Sequence, residues 1–410
     1  MRVQKILIFA HDSSLYGSTQ SLLPILKQLS QTNNYKCLLI IPFPGPLEGI
    51  LINLNISYKI IKFPLCGYRS ISSPISDANI NYKKQIAKQL AKSLYNLEKS
   101  VINFKPSLIY SNTSTVTVGY ILASKYHIPH VWHIREYGKL DYDLIYLPSL
   151  DEVVKYMCKS SCLIFNSESV MKYWIENKKA NSIVVYNGIF NSKINLIRKK
   201  QPIGSFTFGI LGALIESKGI HVALEAFLKL VDTNPDIYIK IYGHKFDVEY
   251  HKYLMTILNK YINANNKVFF CEFESNQDAL YAQLDAVLCC SKNEAFGRTI
   301  VEAMSRGIPV ISNNVGGPTE IINHEVNGLL YNNSVEDLSK CMSRLITDKI
   351  LYENLSENGF KHAQINFSEK KYVSSVIEII NNNLKLKFPF NLYKHQLKYL
   401  LKRIYNKMFN

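Results

Sequence analysis

Along the chain, short apolar runs alternate with longer segments in which apolar residues recur every three to four positions. In the first half the runs predict strands near 3–10, 36–43, 56–63, 107–111, 130–134, 162–166 and 183–186. In the second half they predict strands near 206–212, 237–242, 267–271, 286–290 and 308–312. Between them the helical period predicts helices such as Gln20–Leu29, Tyr82–Phe104, Ile220–Leu230 and Asp278–Leu284. Strands alternating with helices imply parallel, doubly wound sheets, an α/β class. The set is too long for one sheet and splits into two. The stretch Asn191–Gly204 holds Lys199-Lys200-Gln201-Pro202 and no strong period, so it reads as a linker. The expected division is therefore 1–195, 196–370, and a terminal segment 371–410 that is helical and then basic and aromatic.

A chain of 410 residues suits two α/β domains. With 47% hydrophobic and 20% charged residues the composition is globular. The net charge of +16 is uneven: residues 1–200 carry 25 Lys/Arg against 11 Asp/Glu, and residues 201–410 carry 23 against 21. A basic first half attracts anionic membranes, nucleic acids or acidic substrates, or serves solubility alone. No nucleic-acid-binding motif accompanies it. Eight cysteines include no CxxC pair, which fits unpaired thiols in a reducing, cytoplasmic compartment. Val3–Ala10 is apolar but short and is followed by His11 and Asp12, a first strand rather than a signal peptide. No run of about 18 apolar residues occurs, so no transmembrane helix is expected and any membrane contact is peripheral.

In open α/β sheets ligands bind beyond the carboxyl ends of the strands, so the chemistry is sought there. After the run Ala286–Cys290 comes Ser291-Lys-Asn-Glu294-Ala295-Phe296-Gly297-Arg298, then Glu302. Gly297 marks a turn, and the helix expected from Arg298 presents its N-terminus to an anion. A carboxylate one turn inside, Glu302, suits ribose hydroxyls, and Glu294 suits a sugar. Each glutamate alone also fits an ordinary loop or a helix-dipole partner. After the next run, Gly316-Gly317-Pro318 allows a close backbone approach and starts a helix. Gly209–Gly219 carries Lys218 next to its last residue, a point charge for a diphosphate or a solvated lysine. In the first half His11 and Gly17 follow the first run. Tyr110-Ser-Asn112 and Trp132-His133-Ile134-Arg135-Glu136 lie at the ends of two others.

Taken together these segments resemble the family 4 glycosyltransferases ("glycosyl transferases group 1"), retaining enzymes of the GT-B fold. The resemblance rests on Glu294-x7-Glu302, Gly307-x-Pro309, Gly316-Gly317-x-x-Glu320, Lys218-Gly219 and Tyr186-Asn187-Gly188. It is specific in 205–330 and looser in 1–190. It implies two facing Rossmann-like domains with a cleft between them, and transfer from a UDP- or GDP-linked sugar without bound metal or cofactor. It further implies that Lys218 and the turns at Gly297, Gly316 and Gly317 hold the diphosphate, and Glu302 the ribose. Glu294 with Ala295, Phe296 and Gly297 would hold the donor sugar. His133 would face the reacting sugar, and Gly17 would let the first loop approach the phosphates. Glu294, His133 and Lys218 are thus the implied catalytic set. The sequence departs from the family in two places. Ala213 stands where the family carries an Arg, a charge that Arg298 is expected to replace, and Tyr16-Gly17 stands for paired glycines.

Leu392–Met408 places apolar residues at helical spacing among Lys and Arg, which suits either an anionic membrane surface or packing on the first domain. The expected acceptor is a glycan or a lipid-linked glycan in bacterial surface polysaccharide synthesis, at the cytoplasmic face of the inner membrane. The competing readings are another enzyme of this fold, such as a nucleotide-sugar epimerase, and a non-catalytic nucleotide-sugar or membrane binding protein.

Overall fold

The computed structural model describes residues 3–69, 77–197, 201–243, 247–264, 266–272, 274 and 276–386. The chain divides into two units, one of Met1–Tyr186 with the chain from Tyr372 onward, the other of Asn187–Lys371. The boundary thus falls at 186/187 rather than 195/196. Phe190 and the residues near it bond to Phe367 and Ser368, which ties them to the second unit.

The first unit holds β1 (Gln4–Phe9), β2 (Tyr35–Ile41), β3 (Ser57–Ile60), β4 (Gly67–Arg69), β5 (Leu108–Asn112), β6 (His130–Ile134), β7 (Leu144–Tyr146), β8 (Cys162–Phe165) and β9 (Ser182–Val184). Seven of them form one parallel sheet in the order β3-β2-β1-β5-β6-β8-β9, while β4 and β7 pair antiparallel on their own. Strand β1 lies between β2 and β5, with Ile8 beside Tyr110 and Phe9 beside Ser111. Alternate residues of β1 enter opposite cores, as the period of two requires. Ile6 and Ile8 pack with Leu22, Ile25 and Leu26 of the helix Gly17–Ser30. Leu7 and Phe9 pack with Leu94, Leu97 and Val101 of the helix Asp77–Phe104. Both faces are covered, which is why β1, β5 and β6 read as continuous apolar runs.

The helix Glu369–Leu384 sends Tyr372, Val373, Val376, Ile379 and Ile380 into the same core as Ile6 and Ile8. The first part of the expected 371–410 segment is therefore a structural helix of the first unit. The expected amphipathic helix Leu392–Met408 lies outside the described residues.

The second unit holds β10 (Phe206–Leu211), β11 (Ile237–Tyr242), β12 (Val268–Cys271), β13 (Ala286–Cys289), β14 (Val310–Asn313) and β15 (Leu329–Tyr331). They form one parallel sheet in the order β12-β11-β10-β13-β14-β15. Phe208 pairs with Ala286 and Ile210 with Leu288. In each unit the strand order reverses beside the unit's first strand, between β1 and β5 and between β10 and β13. Such a switch point opens a crevice at the carboxyl ends of the two strands. Among the described residues no helix is long and apolar enough to cross a membrane, and all eight cysteines are free.

Candidate active site

The second unit's switch point gathers Lys218, Ser291 and Glu294. The chain leaves β10, makes a short 3-10 turn over Glu216–Lys218, and enters the helix Ile220–Leu228 through Gly219. Gly219 has φ +65°, and a Cβ there would collide with the carbonyl of Cys290 at the end of β13. Only glycine allows this approach, and it brings Lys218 beside the 291–294 loop. Lys292 N donates to Ser217 O at 3.0 Å and fixes the two loops together.

Lys218 Nζ lies 2.8 Å from Glu294 Oε2, and Ser291 Oγ donates to the same oxygen at 2.8 Å. The two charged side chains are 24% and 17% exposed. Burial pushes the Glu294 carboxyl up, but Lys218, Ser291 and the backbone of Gly297 outweigh it and hold the group below its ordinary range. Glu294 is therefore an ionised, oriented acceptor at neutral pH.

One turn onward is a second cluster. Arg298 donates to Glu302 Oε1 at 3.0 Å across one turn of the helix Arg298–Met304. Tyr281 donates to Glu302 Oε2 at 3.0 Å. Burial and then the Glu302 carboxylate push the Tyr281 ionisation far up, so it stays a phenol and donates. The Arg298 and Glu302 side chains are 24% and 18% exposed, so both remain partly open to solvent.

The glycine turns take different parts. Gly297 has φ +99° and ends the loop just before Arg298. Gly316 has φ +60°. Gly317 has ordinary helical φ, and its N–H is already used, donating to Glu294 O at 2.8 Å. A Cβ on Gly317 would stand 2.5 Å from Ala295 O and Phe296 Cα. Gly317 thus brings its turn onto the Ala295–Phe296 backbone rather than offering its own N–H. The helices after the two turns span only Arg298–Met304 and Pro318–Ile321, and the first turn of the second offers no N–H, since Pro318 has none and those of Thr319 and Glu320 donate to Gly316 O and Gly317 O.

In the first unit the residues singled out by sequence again lie at the switch point. Gly17 opens the helix Gly17–Ser30, and nothing stands within 4 Å of where its Cβ would be. His133 is fully buried on β6 beside Asn112 of β5. His133 Nδ1 lies 2.6 Å from Tyr110 Oη, and Arg135 donates to the same Nδ1 at 3.2 Å. Burial, then the Arg135 cation, hold the imidazole well below its ordinary pKa. Ser291, Tyr281, Arg135 and Tyr372 were not assigned by sequence reasoning. Ser291 and Arg135 stood inside the segments singled out there, but Tyr372 is far along the chain and carries no local signal. Among the described residues no group of three or more His, Cys, Asp or Glu is placed to hold a metal ion.

Anabaena Alr3699/HepE, solved with UDP and glucose, superposes with a TM-score of 0.74 at 22% identity, covering 92% of this chain and 99% of that one. The α/β fold with parallel sheets is accordingly that of the GT-B glycosyltransferase structures. The capsular polysaccharide biosynthesis glycosyltransferase CapM of Staphylococcus aureus is 24% identical over 199 residues, 48% of this chain and 51% of the relative. Spore coat protein SA of Bacillus subtilis (strain 168) is 25% identical over 180 residues, 42% of this chain and 48% of the relative. The chain spans about half the length of these curated relatives. Residues 193–362 match the family described as "Glycosyl transferases group 1", and the segment that brings Lys218, Glu294, Arg298 and Glu302 together is the segment shared with that family.

Proposed function

We propose that this protein is a retaining glycosyltransferase of family 4. It moves a sugar from a nucleotide-diphosphate sugar to a glycan or lipid-linked acceptor of a bacterial surface polysaccharide. The observation that carries the reading is the set at the β10/β13 switch point: a lysine held against an ionised glutamate, with an Arg–Glu pair one turn away. In this reading Lys218 and Arg298 meet the diphosphate and offset the charge that grows on it as the glycosidic bond breaks. Glu302, oriented by Tyr281 and Arg298, accepts from the ribose hydroxyls. Glu294 accepts from hydroxyls of the donor sugar. The positive charge of Lys218 and Arg298 does the work a divalent cation does elsewhere, so no metal is required.

The UDP and UDP-glucose complexes of the Anabaena protein make UDP the first nucleotide to test, with GDP second. Thermal-shift binding without metal, against UDP, GDP, ADP and CMP, is the experiment. One nucleotide should stabilise the wild type and lose most of its effect in Glu302→Ala. Arg298→Ala and Lys218→Ala should weaken it to a similar extent, roughly tenfold or more. No stabilisation of a well-folded sample by any of the four would remove the transferase reading in favour of a binding protein.

We place the work at the cytoplasmic face of an anionic membrane. On the helix Asp77–Phe104, Lys84, Lys88, Lys92 and Lys99 are exposed at spacings of three to four residues or their multiples. Tyr95 is 58% exposed among them, with Lys99 over its ring at 4.3 Å. Such a face suits acidic headgroups. Flotation with vesicles containing phosphatidylglycerol should carry the protein upward at low salt, and less so after charge reversal of these lysines or deletion of 386–410. Equal flotation of all variants would count against membrane contact.

A further inference from the structure

We propose that Tyr110, Arg135 and Tyr372 lock His133 as a neutral ring with its proton on Nε2, a fixed hydrogen-bond donor for a substrate hydroxyl and not a proton carrier. The donor role rests on the transferase reading above; the lock itself does not. Arginine can only donate. Arg135 donates to Tyr372 Oη at 2.8 Å, to Asn112 Oδ1 at 2.6 Å and to His133 Nδ1 at 3.2 Å. An Nδ1 that accepts from Arg135 carries no proton, so Tyr110, whose Oη is 2.6 Å away, donates to it as well. Two donors thus converge on Nδ1, so Nδ1 is the acceptor and the ring proton is on Nε2.

Protonating Nδ1 would set a new N–H against the Arg135 guanidinium and reverse the Tyr110 bond. The titratable and charged groups around the ring are Tyr110 from β5, Arg135 just past β6 and Tyr372 from the helix Glu369–Leu384. Beyond β1, His11 lies within electrostatic reach of the same arginine, and so does the buried carboxylate of Glu136 next to it in the chain. None of the groups that touch the ring is a carboxylate that would favour a charged imidazole.

His133 Nε2 is fully buried and has no hydrogen-bond partner among the described residues. A buried N–H left unmet is costly unless a ligand meets it. Thr19 Oγ1 is likewise buried and unmet, in the first turn of the helix Gly17–Ser30. Asn112 donates to Ser18 O at 3.3 Å and ties that turn to the same end of the sheet. Two unmet polar groups at one switch point suit a polyhydroxylated ligand.

The terminal helix thereby enters the site. Tyr372 Oη donates to Ser21 O at 2.8 Å, so its oxygen is turned to accept from Arg135. Arg135 and Tyr372 are positioning residues: they act on the ligand only through His133.

Histidine-selective nitrogen NMR on the full chain tests the lock directly. The wild-type His133 ring should show an unprotonated Nδ1 and a protonated Nε2, unchanged from pH 8 to pH 5. A proton on Nδ1, or titration between pH 6 and 7, would overturn the proposal. In Tyr372→Phe and Arg135→Lys the ring should titrate closer to the ordinary value of about 6.5. With the nucleotide sugar that binds, the kcat/KM of these variants should begin to fall on the acid side at a higher pH than that of the wild type. A variant that is merely less stable would melt earlier without either change, and unchanged titration in both variants would also overturn the lock. Should Arg135→Lys not fold, Tyr372→Phe and the wild-type spectrum still decide. Failure to turn over any nucleotide sugar would remove the transferase reading and leave the NMR result standing.

Discussion

Two glycines show how differently the same residue type is used. Gly219 sits at φ +65° with the Cys290 carbonyl where a Cβ would go, so it is needed by the fold. Gly219→Ala adds left-handed strain and a backbone clash, about 2–5 kcal/mol together. It also pushes Lys218 away from Glu294. Gly17 has open space around it and begins a helix. Gly17→Ala should leave stability within about 0.5 kcal/mol. In the transferase reading a phosphate approaches that same space, so the variant should lose nucleotide-sugar affinity while melting normally. Denaturant titration alongside ligand binding separates the two outcomes. Parallel losses of stability and binding at Gly17 would show that its role is in the fold.

At the scale of elements, the helix Glu369–Leu384 belongs to the first unit although it follows the whole of the second in sequence. Ile380 is 1% exposed and packs in the core with Ile6 and Ile8. Ile380→Ala should therefore cost about 2–5 kcal/mol, and the loss should appear in the unfolding transition of the first unit. Tyr35 Oη donates to Asn381 Oδ1 at 2.6 Å, which ties the helix to the start of β2. A thermal scan of this variant with a nucleotide present should show the second unit's stabilisation preserved. Loss of the second transition instead would contradict the assignment of this helix.

For the molecule as a whole, buried histidines set how stability depends on pH. Burial holds His130 at about 3, between Ser111 Oγ and Ser160 Oγ, and burial with smaller charge effects holds His11 at about 4. His133 is lowered as well. All three lie in the first unit. The unfolded chain takes up protons at these rings below about pH 6.5 and the folded chain does not. Stability is thus full above about 6.5 and falls as pH drops, by about 1.4 kcal/mol per pH unit for His130 alone down to its folded pKa. Glu294, lowered on balance, adds a loss of the same sign only below about pH 4.5. Denaturant unfolding at pH 7.5, 6 and 5 should show the first unit weakening more than the second, where burial lowers His362 as well. In His130→Gln the slope should be shallower. A first unit equally stable at pH 7.5 and 5 would refute the neutral state of these rings.

The sequence by itself determined the sheets and the second-unit site, because both are written in local patterns. Short apolar runs placed twelve of the strands, since a strand covered on both faces, such as β1, β5 or β6, has to be apolar throughout. The strands β4, β7 and β15, of three residues each, were not predicted; β9 is as short but was, as the run 183–186. Lys218-Gly219, Glu294 and Glu302 stood at strand ends, where parallel topology puts ligands. What only the tertiary structure decided were the pairings between residues far apart in the chain. That Lys218 faces Glu294, that Tyr281 orients Glu302, and that Gly317 packs on Ala295 follow from how β10, β13 and β14 lie side by side. No local period encodes Tyr372 against Arg135, because a helix records which of its faces is apolar but not which distant arginine its tyrosine will meet.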